Sequence, residues 1–181
     1  DVSSRIREIR SSGSGKRTLV FVGGGSITKG AKVLLRAIPY LFAYVEDLRI
    51  VIAGTGEKQI LDRLSAYAPL VNVLGWVEPA EIRALFCVGD LTLLPSVWHE
   101  NSPVVIFESY QVGTPVIGSK IGGIPELIRD GKTGYLIRPR DPVDLAEKVI
   151  LHFARSATEQ RRMRQMSYQY VTTELTVRKH I

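Results

Sequence analysis

The sequence predicts an α/β domain built on a doubly wound parallel sheet, and three observations carry that prediction. Short apolar runs rich in β-branched residues alternate with amphipathic stretches of helical period along most of the chain. Several of these runs end in glycine or proline turns, which is how strands hand over to helices in such domains. At 181 residues, with 45% hydrophobic and 23% charged residues, the chain can bury one sizeable core without disulfides or metal staples.

The elements follow in order. "TLVFVGGG" from Thr18 reads as a strand closed by three glycines, and "KGAKVLLRAIPYLFAY" as the amphipathic helix after it. The pattern then repeats: "LRIVIAG" as strand, "EKQILDRLSAYA" as helix, "VNVLGWV" as strand, "PAEIRALFCVG" as helix. "LTLLPS", "TPVIGS" and "GYLIRP" continue the strands, separated by the helical runs "SPVVIFESYQVG" and "IPELIRDG". In "DPVDLAEKVILHFARS" Asp141 is the expected N-cap and Pro142 the first helical residue. The tail is expected to be helical to about Tyr170. The opening, with its "SSGSG", resembles a linker. This divides the chain into a linker or interdomain segment over residues 1–16, a doubly wound α/β domain over 17–155, and a helical tail over 156–181.

Lys plus Arg outnumber Asp plus Glu by 24 to 18, a net charge of +6 that favours an anionic partner without choosing one. The single cysteine, Cys87, has no disulfide or thiolate-metal partner and is expected as a small core residue. No stretch is apolar enough to span a bilayer and the polar start is not a signal peptide, so a soluble, cytoplasmic protein is expected. Arg155, Arg161, Arg162 and Arg164 lack an aromatic platform, so nucleic acid is not expected; they read as a solvated face, or as a peripheral contact with anionic lipid or another domain. His152 and His180 read as helix-surface residues and His99 as a loop residue rather than a base. No His, Asp or Glu set has metal-ligand spacing, and no cofactor is expected.

Ligands of such a sheet bind beyond the carboxyl ends of its strands. In "GGGSITKG" three glycines allow close backbone approach, and Lys29 sits at the start of the following helix, where phosphate is readily held. A plain glycine turn with a solvated lysine reads equally well. The dinucleotide pattern Gly-x-Gly-x-x-Gly fits neither this loop, which has Thr28 where the third glycine belongs, nor "AGTGEKQ". The other loop, "PSVWHENSPVVIFESYQVG", carries Glu100 just past a buried strand. There Ser102 is the expected cap and Pro103 the first turn of the next helix, whose free amides face the same crevice. Glu108 lies farther in, among Val104, Val105, Ile106, Phe107 and Tyr110. A buried carboxylate there costs several kcal/mol unless donors meet it: either a ligand's hydroxyls or a neighbouring helix cation.

The run from "PSVWHENSPVVIFESYQVG" through "GGIPELIRDGKTGYLI", with "FVGGGSITKG", "IVIAGTGE" and "VNVLGWVEPAE" ahead of it, resembles the retaining glycosyltransferases of GT-B architecture, family 4 (glycosyl transferases group 1). The resemblance covers about Thr18 to Phe153. It implies a Rossmann-like half of a GT-B fold that binds a nucleoside-diphosphate sugar, with UDP or GDP as carrier. Glu100 would hold sugar hydroxyls with amides near Asn101 and Ser102, Pro103 lying beside them; Glu108 would take the ribose hydroxyls; Lys29 would neutralise the diphosphate beside Gly23 and Gly24; and Trp76 and Val77 would line the base. Catalysis would rest on Glu100 and Lys29. The family usually reads Gly-Arg where this chain reads Gly23-Gly24, so one phosphate cation is missing and Lys29, helix amides or Lys120 must serve instead. The acceptor-binding domain that precedes this one in the family is expected to be missing from the 181 residues, which alone should bind donor and transfer little. A non-catalytic nucleotide-sugar-binding module shares every residue named.

Overall fold

The computed structural model describes residues 2–11 and 15–175. A helix, α1 (Val2–Ser11), precedes strand β1 (Arg17–Val22), and the chain then alternates: α2 (Ala31–Tyr44), β2 (Leu48–Ala53), α3 (Lys58–Ser65), β3 (Val71–Gly75), α4 (Pro79–Val88), β4 (Leu91–Leu94), α5 (Val104–Gln111), β5 (Val116–Ser119), α6 (Ile124–Leu127), β6 (Gly134–Ile137), α7 (Pro142–Ala154) and α8 (Ala157–Thr173). The six strands form one sheet in the order β3-β2-β1-β4-β5-β6, and every pairing is parallel. The chain winds outward from β1 to β3, then returns to the other side of β1 for β4. The switch point therefore lies between β1 and β4.

Side chains alternate across the strands, so both faces must be covered. Leu19, Phe21, Ile50, Ile52, Leu91 and Leu93 pack on one face with Leu34, Ile38 and Leu41 of α2 and Leu145 and Val149 of α7. Val20 and Val51 point the other way, into a cluster with Leu85 and Phe86 of α4. A third cluster joins Ile106 and Tyr110 of α5 to Tyr170 and Val171 of α8. Pro39 inside α2 forfeits a helical hydrogen bond, a change that costs about 3 kcal/mol in an ordinary helix. The seven buried residues of α2 offset it.

Asp141 caps α7 as expected, accepting from the amides of Val143 and Asp144 at 3.0 Å each, and Ser156 with Glu159 forms a capping box on α8.

Five expectations are corrected. The opening segment, expected as a linker, contains α1, because Ile6 and Ile9 bury themselves in the α4 cluster. Cys87 is exposed, since Leu85 and Phe86 take the inward face of α4 and the next residue turns outward. Pro103, with φ −67°, takes the cap position of α5 one residue later than the Ser102 expected there. Arg164 is a structural residue, donating to the Gly89 carbonyl at 2.9 Å, whereas Arg161 and Arg162 remain exposed. His152 is buried, because it follows Leu145 and Val149 on the inward stripe of α7 and meets the Tyr135 hydroxyl at 3.4 Å. His180 lies outside the described residues.

Burial, with Arg155 and Arg164 nearby, lowers the His152 pKa from 6.5 to about 4. The unfolded chain therefore binds the extra proton between these values, so this histidine's contribution to stability is complete above about pH 6.5 and falls away toward pH 4. The expected outcome, read from urea unfolding at pH 7 and pH 5, is a loss about 2 kcal/mol larger for the native chain than for His152→Phe. Equal losses would show that the histidine is protonated in the fold.

Candidate functional site

Two glycine loops are laid against each other at the carboxyl ends of β1 and β2. The amides of Gly23 and Gly24 both donate to the Ala53 carbonyl at 2.9 Å, and the Gly25 amide reaches the Thr55 carbonyl at 3.2 Å. Gly24 has φ +52°, and a Cβ there would stand 2.3 Å from the Thr55 carbonyl oxygen. Only glycine combines that backbone with that contact. The loop then turns through Ser26 to Lys29, directly before the start of α2.

From the neighbouring strand comes Glu100. Its Oε2 lies 2.6 Å from Lys29 Nζ, joining residues 71 apart in sequence across the switch point. The Ser96 hydroxyl donates to the other carboxylate oxygen. Below, the Gly123 amide donates to the Glu100 carbonyl at 2.7 Å, and a Cβ on Gly123 would stand 2.0 Å from the Asn101 carbonyl oxygen. The loop after β5 thus props the loop after β4. The Glu100 side chain is 14% exposed and Lys29 39%, so the pair is open to an incoming group on the lysine side.

Among the described residues no side chain caps α5: the Ile106 amide reaches the Pro103 carbonyl at 3.1 Å, while the Val104 and Val105 amides have no acceptor. Glu108 sits on the second turn of that helix, half-buried. Among the described residues its carboxylate has no hydrogen bond or ion pair, and no described cation meets it. Burial pushes its pKa up. A carboxylate in that condition gains from any hydroxyl pair brought to it.

The remaining expected residues are spread along the same rim. Asn101 and Ser102 are exposed beside Glu100, and Pro103 is buried beneath them. Trp76 is 63% exposed and its indole donates to Glu78 at 3.2 Å, whereas Val77 is a core residue packed with Leu85 and Phe86. What Val77 can offer a ligand is main chain. Lys120 continues the β5–β6 ladder through its amide, and its exposed side chain has no ion pair among the described residues. His99 is exposed in the loop. Two residues escaped the sequence reading: Ser96, signalled only by its place four residues before Glu100, and Gly123, signalled by the glycine pair ahead of Ile124. Hollows of about 200 Å³ at α1 and about 240 Å³ beside α8 touch none of these residues.

Among the described residues no group of three or more His, Cys, Asp and Glu could hold a metal ion, and no helix is long and apolar enough to cross a membrane.

The family model described as glycosyl transferases group 1 matches residues 16–154. The chain is 31% identical over 146 residues to spore coat protein SA of Bacillus subtilis, covering 75% of this chain and 39% of that protein. It is 29% identical over 136 residues to a phosphatidyl-myo-inositol mannosyltransferase of Mycobacterium leprae, covering 74% and 36%. The chain therefore spans well under half the length of these relatives. Among solved structures, Anabaena Alr3699/HepE in complex with UDP-glucose superposes with a TM-score of 0.83 at 21% identity, covering 97% of this chain and 50% of that one. The C-terminal domain of a glycosyl transferase group 1 family protein (LpcC) from Francisella tularensis superposes with a TM-score of 0.78 at 22% identity, covering 90% and 88%.

The interlocked glycine loops leave no room for a side chain at position 24, because a Cβ there collides with the Gly54–Thr55 backbone. Gly24→Ala and Gly24→Arg should each lower stability by at least about 2 kcal/mol in chemical unfolding, more than Gly131→Ala, where φ is +73° but space is open. Equal costs at positions 24 and 131 would show that the loops are not locked.

Proposed function

The chain belongs to the glycosyl transferases group 1 family, and from that premise we propose that it is the donor-binding half of a retaining glycosyltransferase that moves a sugar from a nucleoside diphosphate to an acceptor. One observation supports the reading above others: Lys29 pairs with Glu100 across the β1–β4 switch point, in the loop that leads into the start of α5, whose second turn carries a Glu108 with no partner among the described residues.

A nucleotide sugar accounts for each of these features. The diphosphate takes Lys29 and the first amides of α5, a cation and a helix start that stabilise the charge building on the leaving group as the glycosidic bond breaks. Glu100, fixed by Ser96 from one side and by the Gly123 prop from below, accepts from the sugar's hydroxyls and holds the ring in register with its leaving group. Glu108 accepts from the ribose hydroxyls, which repay its desolvation. Trp76 and the main chain at Val77 border the base. UDP is the first carrier to test, since HepE, of the same fold, was solved with UDP and with UDP-glucose.

On this reading the acceptor is bound by a second domain of a longer protein, and the present chain binds donor without robust transfer. Calorimetric titration with UDP and GDP sugars checks the site. One carrier should bind in preference, and Glu108→Ala should weaken it by roughly 1 to 3 kcal/mol, about 5- to 150-fold. Unchanged affinity in Glu108→Ala, or no sugar nucleotide bound at all, would overturn the assignment.

A further inference from the structure

Beside the switch point, on the α2 side of the rim, a hollow of about 170 Å³ is lined by Ile27, Val33 and Val97 and by Lys32, Arg36 and Arg140. Three apolar side chains and three cations meet there, and no carboxylate lines it. Among the described residues, the side chains of Lys32, Arg36 and Arg140 have no hydrogen bond or ion pair.

Other arginines of the domain do find partners. Arg138 pairs with Asp141 at 3.0 Å and with Asp144 at 3.5 Å, and Arg129 pairs with Glu174. Asp141 is next to Arg140 in sequence, yet its carboxylate is taken by Arg138 and by the α7 amides. Arg140 also holds φ +63°, a backbone conformation that costs a non-glycine residue stability and that persists where its surroundings require it. Three like charges around one concavity repel each other and are relieved by an anion.

We propose that this hollow is a second anion site, taking a phosphate group carried on an apolar body. The phosphate would sit among Lys32, Arg36 and Arg140, where guanidinium groups can grip two oxygens at once. The apolar body would cover Ile27, Val33 and Val97. The site is separate from the donor residues but shares its walls with their loops: Ile27 lies two residues before Lys29, and the Val97 amide donates to the Thr28 carbonyl at 2.9 Å. An occupant would stiffen the loops that carry Lys29 and Glu100.

A phosphate of this kind comes either on a soluble molecule or on a lipid headgroup, and two arms separate them. In the first, the full 181-residue chain is titrated with phenyl phosphate by NMR or calorimetry, with phenol and inorganic phosphate as controls and saturating UDP present to block the donor site. In the second, the chain is sedimented with phosphatidylcholine vesicles with and without phosphatidic acid. Saturable binding of phenyl phosphate, tighter than either control and weakened at least tenfold in Arg36→Gln/Arg140→Gln, establishes a site for soluble phosphates. Sedimentation that needs phosphatidic acid and is lost in the same double variant establishes a lipid site. No binding in either arm, or binding the double variant retains, overturns the proposal. Melting curves and UDP-sugar affinity of the double variant should match the native chain, so failure here leaves the donor reading standing and failure there leaves this one testable.

Discussion

The arrangement depends on β1 and β4 being neighbours. Parallel pairing of Leu19 to Leu91, Val20 to Thr92 and Phe21 to Leu93 brings the carboxyl ends of two strands together from opposite halves of the winding order. A parallel sheet presents its strand ends on one rim and its helix starts on the same rim. Lys29 and Glu100 meet only because of that pairing. So do the start of α5 and the prop from Gly123, both of which hang from strands on the β4 side.

The Lys29–Glu100 pair is lopsided: Lys29 is 39% exposed and reaches solvent, whereas Glu100 is 14% exposed, so the lysine end is the one that can exchange partners. Glu100 stays oriented through Ser96 while Lys29 is free to turn to another anion. Glu108 is the opposite case: partly desolvated and, among the described residues, without a partner. A pair that can be parted and a carboxylate awaiting donors, on adjacent turns of one rim, suit a ligand with a charged centre and hydroxyls on both sides of it.

Much of this was legible in the sequence because the physics behind it is local. Strand and helix periods placed the sheet and its helices, the glycine run announced the first loop, and Asp141-Pro142 announced the start of α7. What escaped depended on rotation or on distant partners. Cys87 and His152 were assigned to the wrong sides of their helices: a one-residue turn of α4 exposes the first, and the inward stripe of α7 buries the second. α1 was hidden because its two isoleucines have meaning only against α4. Ser96 acts on Glu100 from within the same loop and Gly123 from the loop after β5; their sequence positions hint at a turn but not at which atom each one holds. The Gly24 departure was visible, but its reason was not: the second glycine loop occupies the space a side chain would need.

The most direct measurement is a crystal structure of the chain grown with a UDP sugar. Lys29 Nζ should leave Glu100 for the diphosphate, the Glu100 carboxylate should accept from the sugar while keeping Ser96, and Glu108 should lie within hydrogen-bonding distance of both ribose hydroxyls. A nucleotide seated away from the β1–β4 rim, with Lys29 and Glu100 still joined and Glu108 still unpartnered, would contradict the donor site described here.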